Sequence, residues 1–308
     1  MTTLTVLDPE LTSFAEAVGA TEPVAVVGAR TRWNTGGAVH PGTTQLRAPD
    51  GVVDYQPAEM IVRVRAGTPV SELHSALAVE GQRTGLPERG GTVGGAIAVG
   101  EDDLHVLGRG TVGRAVLQVR YVSSEGALVT GGGAVVKNVS GFNIPKLVVG
   151  ALGTLGLIAE VVLRTNPIPP SSLWVTSSDA DPFAAFDLTL RPSAILWDGQ
   201  RTWVQLEGHE PDVLAERRAL STLGTFEDCE SSPPLPPHRW SMAPGQLPGF
   251  ATVDAGAFVA SVGVGTVWAD KPQPSCSPDS TSLEIAARMK QLFDPSGRLN
   301  PGRVPAAA

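Results

Sequence analysis

Three glycine-rich stretches in the first half of this 308-residue chain carry the residue types that a phosphate-bearing ligand needs. Gly28-Ala29-Arg30-Thr31-Arg32 directly follows a β-branched run, Val24-Ala25-Val26-Val27. Consecutive backbone N–H groups turning out of a strand form a concave anion site, and Arg30 or Arg32 adds charge to it. An ordinary strand-to-loop turn is the alternative reading. The second stretch is Gly90-Gly91-Thr92-Val93-Gly94-Gly95-Ala96-Ile97-Ala98, whose small residues let backbone approach a flat or charged ligand. The third runs from Lys137-Asn138-Val139-Ser140-Gly141-Phe142-Asn143 to Gly150-Ala151-Leu152-Gly153-Thr154-Leu155-Gly156. Neither of these two matches the dinucleotide fingerprint, and no phosphate-loop motif ending in Gly-Lys-Ser/Thr is present. Tight turns or close strand packing would explain each one singly. One extended, diphosphate-bearing cofactor lying across several loops accounts for all three.

The elements that must position these loops alternate without a regular β-α rhythm. Met60 to Arg65 alternates as a strand. Thr68 to Glu80 reads as a helix, with Thr68 as N-cap, Pro69 at the first helical position and Gly81 past its end. Ala115 to Val122 and Gly126 to Thr130 read as a hairpin, and Gly156 to Leu163 as a further apolar strand. Strands outnumber helices, which favours α+β over a doubly wound sheet.

Glycine and proline divide the chain. Residues 85–156 hold 17 of the 35 glycines, while 18 of the 26 prolines follow residue 166, so Asn166-Pro167-Ile168-Pro169-Pro170 reads as a linker. The net charge of −8 argues against nucleic acid or an anionic membrane surface as the main partner. Cys229 and Cys276 have no metal-like spacing with the histidines, so neither a disulfide framework nor a metal site is expected. No apolar run is long enough to span a bilayer, and Met1 to Phe14 lacks the pattern of a signal peptide. A cytoplasmic protein is expected, reaching a membrane only through a partner.

The order of the motifs resembles the FAD-binding domain of the PCMH-type (vanillyl-alcohol oxidase) flavoproteins, and within them the FAD-binding E subunits of glycolate oxidase. Gly28–Arg32, Thr92-Val93-Gly94-Gly95, Lys137 to Asn143, and Gly153-Thr154-Leu155-Gly156-Leu157-Ile158 carry it. So do Asp54 to Glu59, Arg65 to Pro69, Trp197-Asp198-Gly199, Leu206-Glu207-Gly208, Arg239-Trp240-Ser241 and the closing Phe293 to Arg303. The resemblance implies a two-lobed α+β FAD domain over residues 1–166, a smaller antiparallel-sheet substrate or cap domain over 167–282, and a segment over 283–308 that returns to the FAD site. It implies that Gly28, Ala29, Arg30, Thr31 and Arg32 cradle the pyrophosphate, and that Thr92, Gly94 and Gly95 pass along flavin and phosphates. Asn138, Gly141, Gly153 and Thr154 would line the cofactor, with Ile158 near the adenine. No histidine occurs in residues 28–32, so FAD is expected to be bound non-covalently.

By the same resemblance the expected activity is oxidation of glycolate or a similar 2-hydroxy acid by hydride transfer to FAD, with iron–sulfur and second flavoprotein subunits as partners. Arg239 is the candidate for the substrate carboxylate, with an ion pair as its plain alternative. His238 is the candidate base among the scattered His40, His74, His105, His209 and His238. Asn300, in the closing motif, is expected to approach the flavin ring. Two departures stand out. Gly100-Glu101-Asp102-Asp103 replaces a basic segment of the relatives, and the stretch between Trp268 and Leu283 is short and proline-rich. These departures motivate a second hypothesis, a non-catalytic FAD-binding or assembly subunit. An NADPH-dependent reductase on the same fold ranks third, because Asn300-Pro301-Gly302 does not fit that group.

Overall fold

The structure is a computed structural model that describes residues 8–133, 143–274 and 280–305; Asn138 and Gly141 lie outside the described residues. The chain divides into two units. The first comprises residues 8–103, 111–133, 143–167 and 280–305, and the second comprises Leu104–Gly110 and 168–274.

In the first unit, Asp8 caps α1 (Pro9–Val18), its carboxylate accepting from the amides of Glu10 (3.1 Å) and Leu11 (3.3 Å). Strands β1 (Val24–Val26) and β2 (Thr44–Leu46) pair in parallel. β3 (Val52–Gln56) and β4 (Ile61–Arg65) lead to α2 (Val70–Ala78), the short β5 (Gln82–Arg83) and α3 (Val93–Val99). The chain then leaves for the second unit as α4 (Val106–Arg109). It returns with α5 (Val112–Ala115), β6 (Val116–Val122), β7 (Leu128–Gly132), α6 (Ile144–Val148), β8 (Leu157–Arg164) and β9 (Asn166–Pro167).

Five strands form one antiparallel sheet in the order β3-β4-β8-β6-β7. β8 is its middle strand, and seven of its eight residues are buried, which is why it reads as a nearly unbroken apolar run. On one face Val62, Val64, Val119, Val161 and Leu163 pack with Leu73 and Leu77 of α2 and Ile97 of α3. On the other, Val122, Leu157 and Ala159 pack with Leu11, Phe14 and Val18 of α1 and with Leu299. The one buried charge in β8, Glu160, meets Arg65 at 2.7 Å with both side chains almost fully buried. Arg65 also reaches the Asp8 cap, and that hydrogen bond holds the Asp8 carboxyl below the usual carboxylate range against the effect of burial.

The mixed helix-and-sheet character expected from sequence is borne out, with one local correction. α2 starts at Val70, with Pro69 rather than Thr68 at its N-cap. The Thr68 hydroxyl instead accepts from the Gly51 amide at 2.8 Å, tying the helix approach to the loop before β3. Gly81, at φ +64°, ends the turn after α2 as the sequence predicts.

The second unit is built on a seven-stranded sheet. Its strands are β10 (Ser171–Ser177), β11 (Pro192–Trp197), β12 (Thr202–Gly208), β13 (Glu227–Cys229), β14 (His238–Ser241), β15 (Phe258–Ser261) and β16 (Thr266–Ala269). They run in the order β13-β10-β12-β11-β15-β16-β14, and every pairing is antiparallel. Helices α7 (Pro182–Leu188) and α8 (Glu210–Leu220) cover Val175, Ile195, Val204 and Leu206. α4 lies on β11 so closely that a Cβ on Gly108 would sit 2.8 Å from the Ser193 hydroxyl oxygen. The last helix of the first unit is α9 (Ser280–Phe293).

Candidate cofactor-binding site

A cleft opens within the first unit. Its walls are the loop after β1, the start of α3, Gly67 after β4, the Leu152-Gly153 turn, Leu157 and Ile158 of β8, and Asn300 and Arg303. Nothing in the amino-acid order puts residues 28 and 303 side by side; the sheet pairings do. Strand β1 accepts the closing segment along its edge, Val24 N donating to Arg298 O at 3.0 Å and Asn300 N to Val24 O at 2.8 Å.

The loop from Gly28 to Arg32 is the polar end of the cleft. Among the described residues no carbonyl or side-chain oxygen accepts from the amides of residues 28–32. Residues 29–31 are exposed, so water can serve these amides, and a bound anion would find the run open to donate to it. Arg30 holds left-handed backbone at φ 59° and donates to Gln45 Oε1 at 2.6 Å. Arg32 gives its Nε to Glu101 at 2.6 Å, while its Nη2 is buried without an acceptor among the described residues. Trp33 stands beside them, its ring centre 5.2 Å from the Arg30 guanidinium carbon and 4.6 Å from that of Arg303. Arg303 is held in turn by the carbonyls of Thr35 (2.7 Å) and Gly37.

Close approach explains the glycines. A Cβ on Gly28 would lie 2.5 Å from Thr92 Oγ1, so only glycine lets the loop rest against the start of α3. Gly94 is pressed on Ala66, where a Cβ would meet another at 2.7 Å. The amides at the start of α3 are already spent: Val93 on Thr68 O (2.9 Å), Gly94 on Ala66 O (2.8 Å) and Gly95 on Thr92 Oγ1 (3.2 Å). Thr92, Gly94 and Gly95 therefore supply a bare surface to the cleft, while the amide donors come from the loop at 28–32.

The third wall is strained. Of the four described non-glycine residues with left-handed backbone, Arg30, Leu152 and Asn300 line the cleft, and only Met60 lies elsewhere. Such conformations persist where surrounding structure enforces them, and they concentrate at ligand sites. Asn300 is buried and donates its side-chain amide to Leu152 O at 2.9 Å. Gly153, at φ +68°, leaves room for that amide; a Cβ there would sit 2.2 Å from it. Thr154 lies behind the wall rather than on it. Its hydroxyl donates to Ala151 O at 2.8 Å, and its carbonyl accepts from Lys290 at 2.9 Å.

The closing turn is fixed by Asp294, which accepts from Lys290 (2.6 Å), Leu299 N (2.8 Å) and Arg298 N (3.1 Å). Burial alone would raise its carboxyl. The Lys290 ammonium and the two amides outweigh burial and hold it below the usual carboxylate range.

Arg239 and His238 belong to the second unit, on edge strand β14. Arg239 donates to Thr266 Oγ1 at 3.3 Å, and its Nε is buried without an acceptor among the described residues. His238 is exposed. Neighbouring residues of a strand point to opposite faces, so these two side chains do not converge on one substrate.

Sequence reading missed Trp33, Glu101 and Gly67 as parts of the site. Trp33 is a rare aromatic beside two arginines, a usable signal; Gly67 shows itself only through the carbonyl of Ala48, which a Cβ would approach to 2.3 Å. Conversely, Gly108-Arg109-Gly110-Thr111-Val112-Gly113 has fingerprint spacing, yet it follows no strand, and Gly108 serves the packing on Ser193.

Spent and unspent donors, three arginines and an apolar wall together suit a ligand with a diphosphate and a flat ring. An FAD binding domain family matches residues 12–132. The glycolate oxidase subunit GlcE of Escherichia coli K12 is 30% identical over 215 residues, covering 67% of this chain and 61% of that protein. The D-2-hydroxyglutarate dehydrogenase of Xanthomonas citri pv. viticola is 31% identical over 56% of this chain and 39% of its own length. In both cases the chain spans less than two thirds of the relative. Among solved structures, alkyldihydroxyacetonephosphate synthase shares the fold, with a TM-score of 0.69 at 14% identity over 95% of this chain and 74% of that one.

Proposed function

We propose that this chain, which carries an FAD binding domain of the PCMH type, is a subunit of a flavin-dependent oxidoreductase that oxidises glycolate or a similar 2-hydroxy acid. The observation that carries the cofactor end of this reading is the loop at 28–32, with its unspent amides and the unpartnered Nη2 of Arg32. The residues present fit FAD. The loop and Arg32 would take the diphosphate, Gly94 and Gly95 would let it pass, and Ala48, Ala66 and Ile158 would face a flat ring. When bound, FAD supplies the two-electron acceptor for the substrate's C2 hydride.

The substrate class comes from relatives named for glycolate, D-2-hydroxyglutarate and D-lactate. Arg239 would hold the carboxylate, since a guanidinium pairs with it through two parallel hydrogen bonds. The name of the Escherichia coli relative supports a multisubunit assembly, with an iron–sulfur subunit and a second flavoprotein subunit as the proposed partners. Among the described residues no helix is long and apolar enough to cross a membrane.

Anaerobic titration of the purified chain with glycolate and with D-lactate tests the reading. A yellow protein whose flavin absorbance bleaches on addition supports it. A yellow protein that bleaches only with partner subunits present supports an FAD-holding subunit instead, and a colourless protein that takes up no FAD overturns both.

A further inference from the structure

We infer that Glu101 is a positioning residue for the cofactor's diphosphate, acting through Arg32. The Arg32 side chain is 13% exposed and that of Glu101 22%, and their contact, Nε to Oε2 at 2.6 Å, spans 69 positions of sequence. An arginine side chain is long and loses much rotamer freedom when fixed; a ligand that must fix it bears that cost itself. Glu101 fixes it beforehand. It engages Nε and leaves Nη2, which is buried, without an acceptor among the described residues in a side chain that lines the cleft.

The anchor is itself held. Gly100 ends α3 at φ +70°, its amide donating to Ala96 O at 2.9 Å, and a Cβ there would lie 2.8 Å from the Gly150 amide nitrogen. Gly150 and Leu152 donate to Ile97 O (3.0 Å) and Ala98 O (2.8 Å), so the strained Leu152 wall and the root of Glu101 share one hydrogen-bonded frame. Glu101 thereby links the amide loop at 28–32 to the other two walls. Its neighbour Asp102 has separate work, accepting from Val112 N at 2.7 Å. A carboxylate near a diphosphate would by charge alone oppose binding. The inference is that ordering Arg32 outweighs that repulsion, because Glu101 is screened by the guanidinium it grips.

The inference rests on the cleft holding FAD, not on the reaction proposed for it. Apoprotein is titrated with FAD and, as a probe of the diphosphate arm, with ADP, for the wild type, E101A, E101Q, R32A and the double variant R32A/E101A. Glu101→Ala and Glu101→Gln are expected to weaken both ligands by the same factor, about 10-fold, and the double variant to bind no more weakly than R32A. Thermal unfolding of each apoprotein monitors folding; should E101A unfold, the isosteric E101Q decides. FAD bound as tightly or more tightly by the Glu101 variants overturns the inference, as does simple addition of the two losses in the double variant. A wild-type chain that takes up no FAD overturns the cofactor reading, a result distinct from either.

Discussion

Asn300 and Leu152 hold each other in left-handed backbone, φ 44° and 50°, through the Asn300 side-chain amide and the Leu152 carbonyl 2.9 Å apart. Each conformation is unfavourable alone, and the shared hydrogen bond across 148 positions of sequence is what the fold supplies to keep both.

Two substitutions separate backbone from side chain at Asn300. Asn300→Gly keeps the left-handed backbone and loses the amide, so it is expected to destabilise the apoprotein by about 1 kcal/mol. Asn300→Ala loses both and is expected to cost about 2–3 kcal/mol. Urea unfolding of the apoprotein measures the difference, and gel filtration after FAD loading measures cofactor retention, which is expected to fall in the same order.

Gly28→Ala drives a methyl group to 2.5 Å from Thr92 Oγ1. The loop must move off α3, at a cost of about 1–3 kcal/mol and with loss of FAD from the purified protein. Adding Thr92→Ala removes the obstructing hydroxyl and methyl and is expected to restore part of the flavin content. Its own penalty is about 1 kcal/mol for the lost cap on Gly95 N. The flavin-to-protein absorbance ratio reports both effects.

Asp294 predicts an acid-sensitive closing turn. Its folded carboxyl titrates below the unfolded value of about 3.9, so its contribution is present above that pH and disappears as pH falls through the folded value. Asp294→Asn is therefore expected to lower stability at pH 7 by roughly 1–3 kcal/mol. The gap to the wild type should close below about pH 4. Tm measured for both proteins from neutral to acid pH checks the convergence.

If Arg239 holds the substrate carboxylate, Arg239→Ala is expected to raise KM for a 2-hydroxy acid by about 10-fold or more while changing kcat less. Arg239→Lys keeps the charge but not the two-pronged geometry and should recover only part of the loss. Steady-state kinetics on the assembled enzyme give the split, and an unchanged KM returns Arg239 to the structural role seen in its bond to Thr266.

What could be read in advance followed from how local each signal is. Gly28 and Gly153 announce themselves because backbone without a side chain is conspicuous in any context. β8 is visible because a strand buried on both faces carries almost no polar residue. Glu101 is invisible in the same string of letters. Read locally it is one of three acids after a glycine, and its meaning lies in an arginine 69 positions away. The detour of residues 104–110 into the second unit is hidden for the same reason, since a four-residue helix such as α4 carries no amphipathic pattern of its own. Thr68 shows the limit of cap rules: a hydroxyl ahead of a proline suits an N-cap, but the Gly51 amide lay within reach and took it.

The walls of the cleft run from Val26 to Arg303 along the chain. A ribosome delivers the loop at 28–32 long before the Asn300–Arg303 segment, whereas folding of earlier segments proceeds as they emerge. The flavin can therefore meet a finished cleft only after both distant segments have been made and brought together. Until then the loop at 28–32 stands without the wall that Asn300 and Arg303 supply, so the order of synthesis keeps the two halves of the cleft apart.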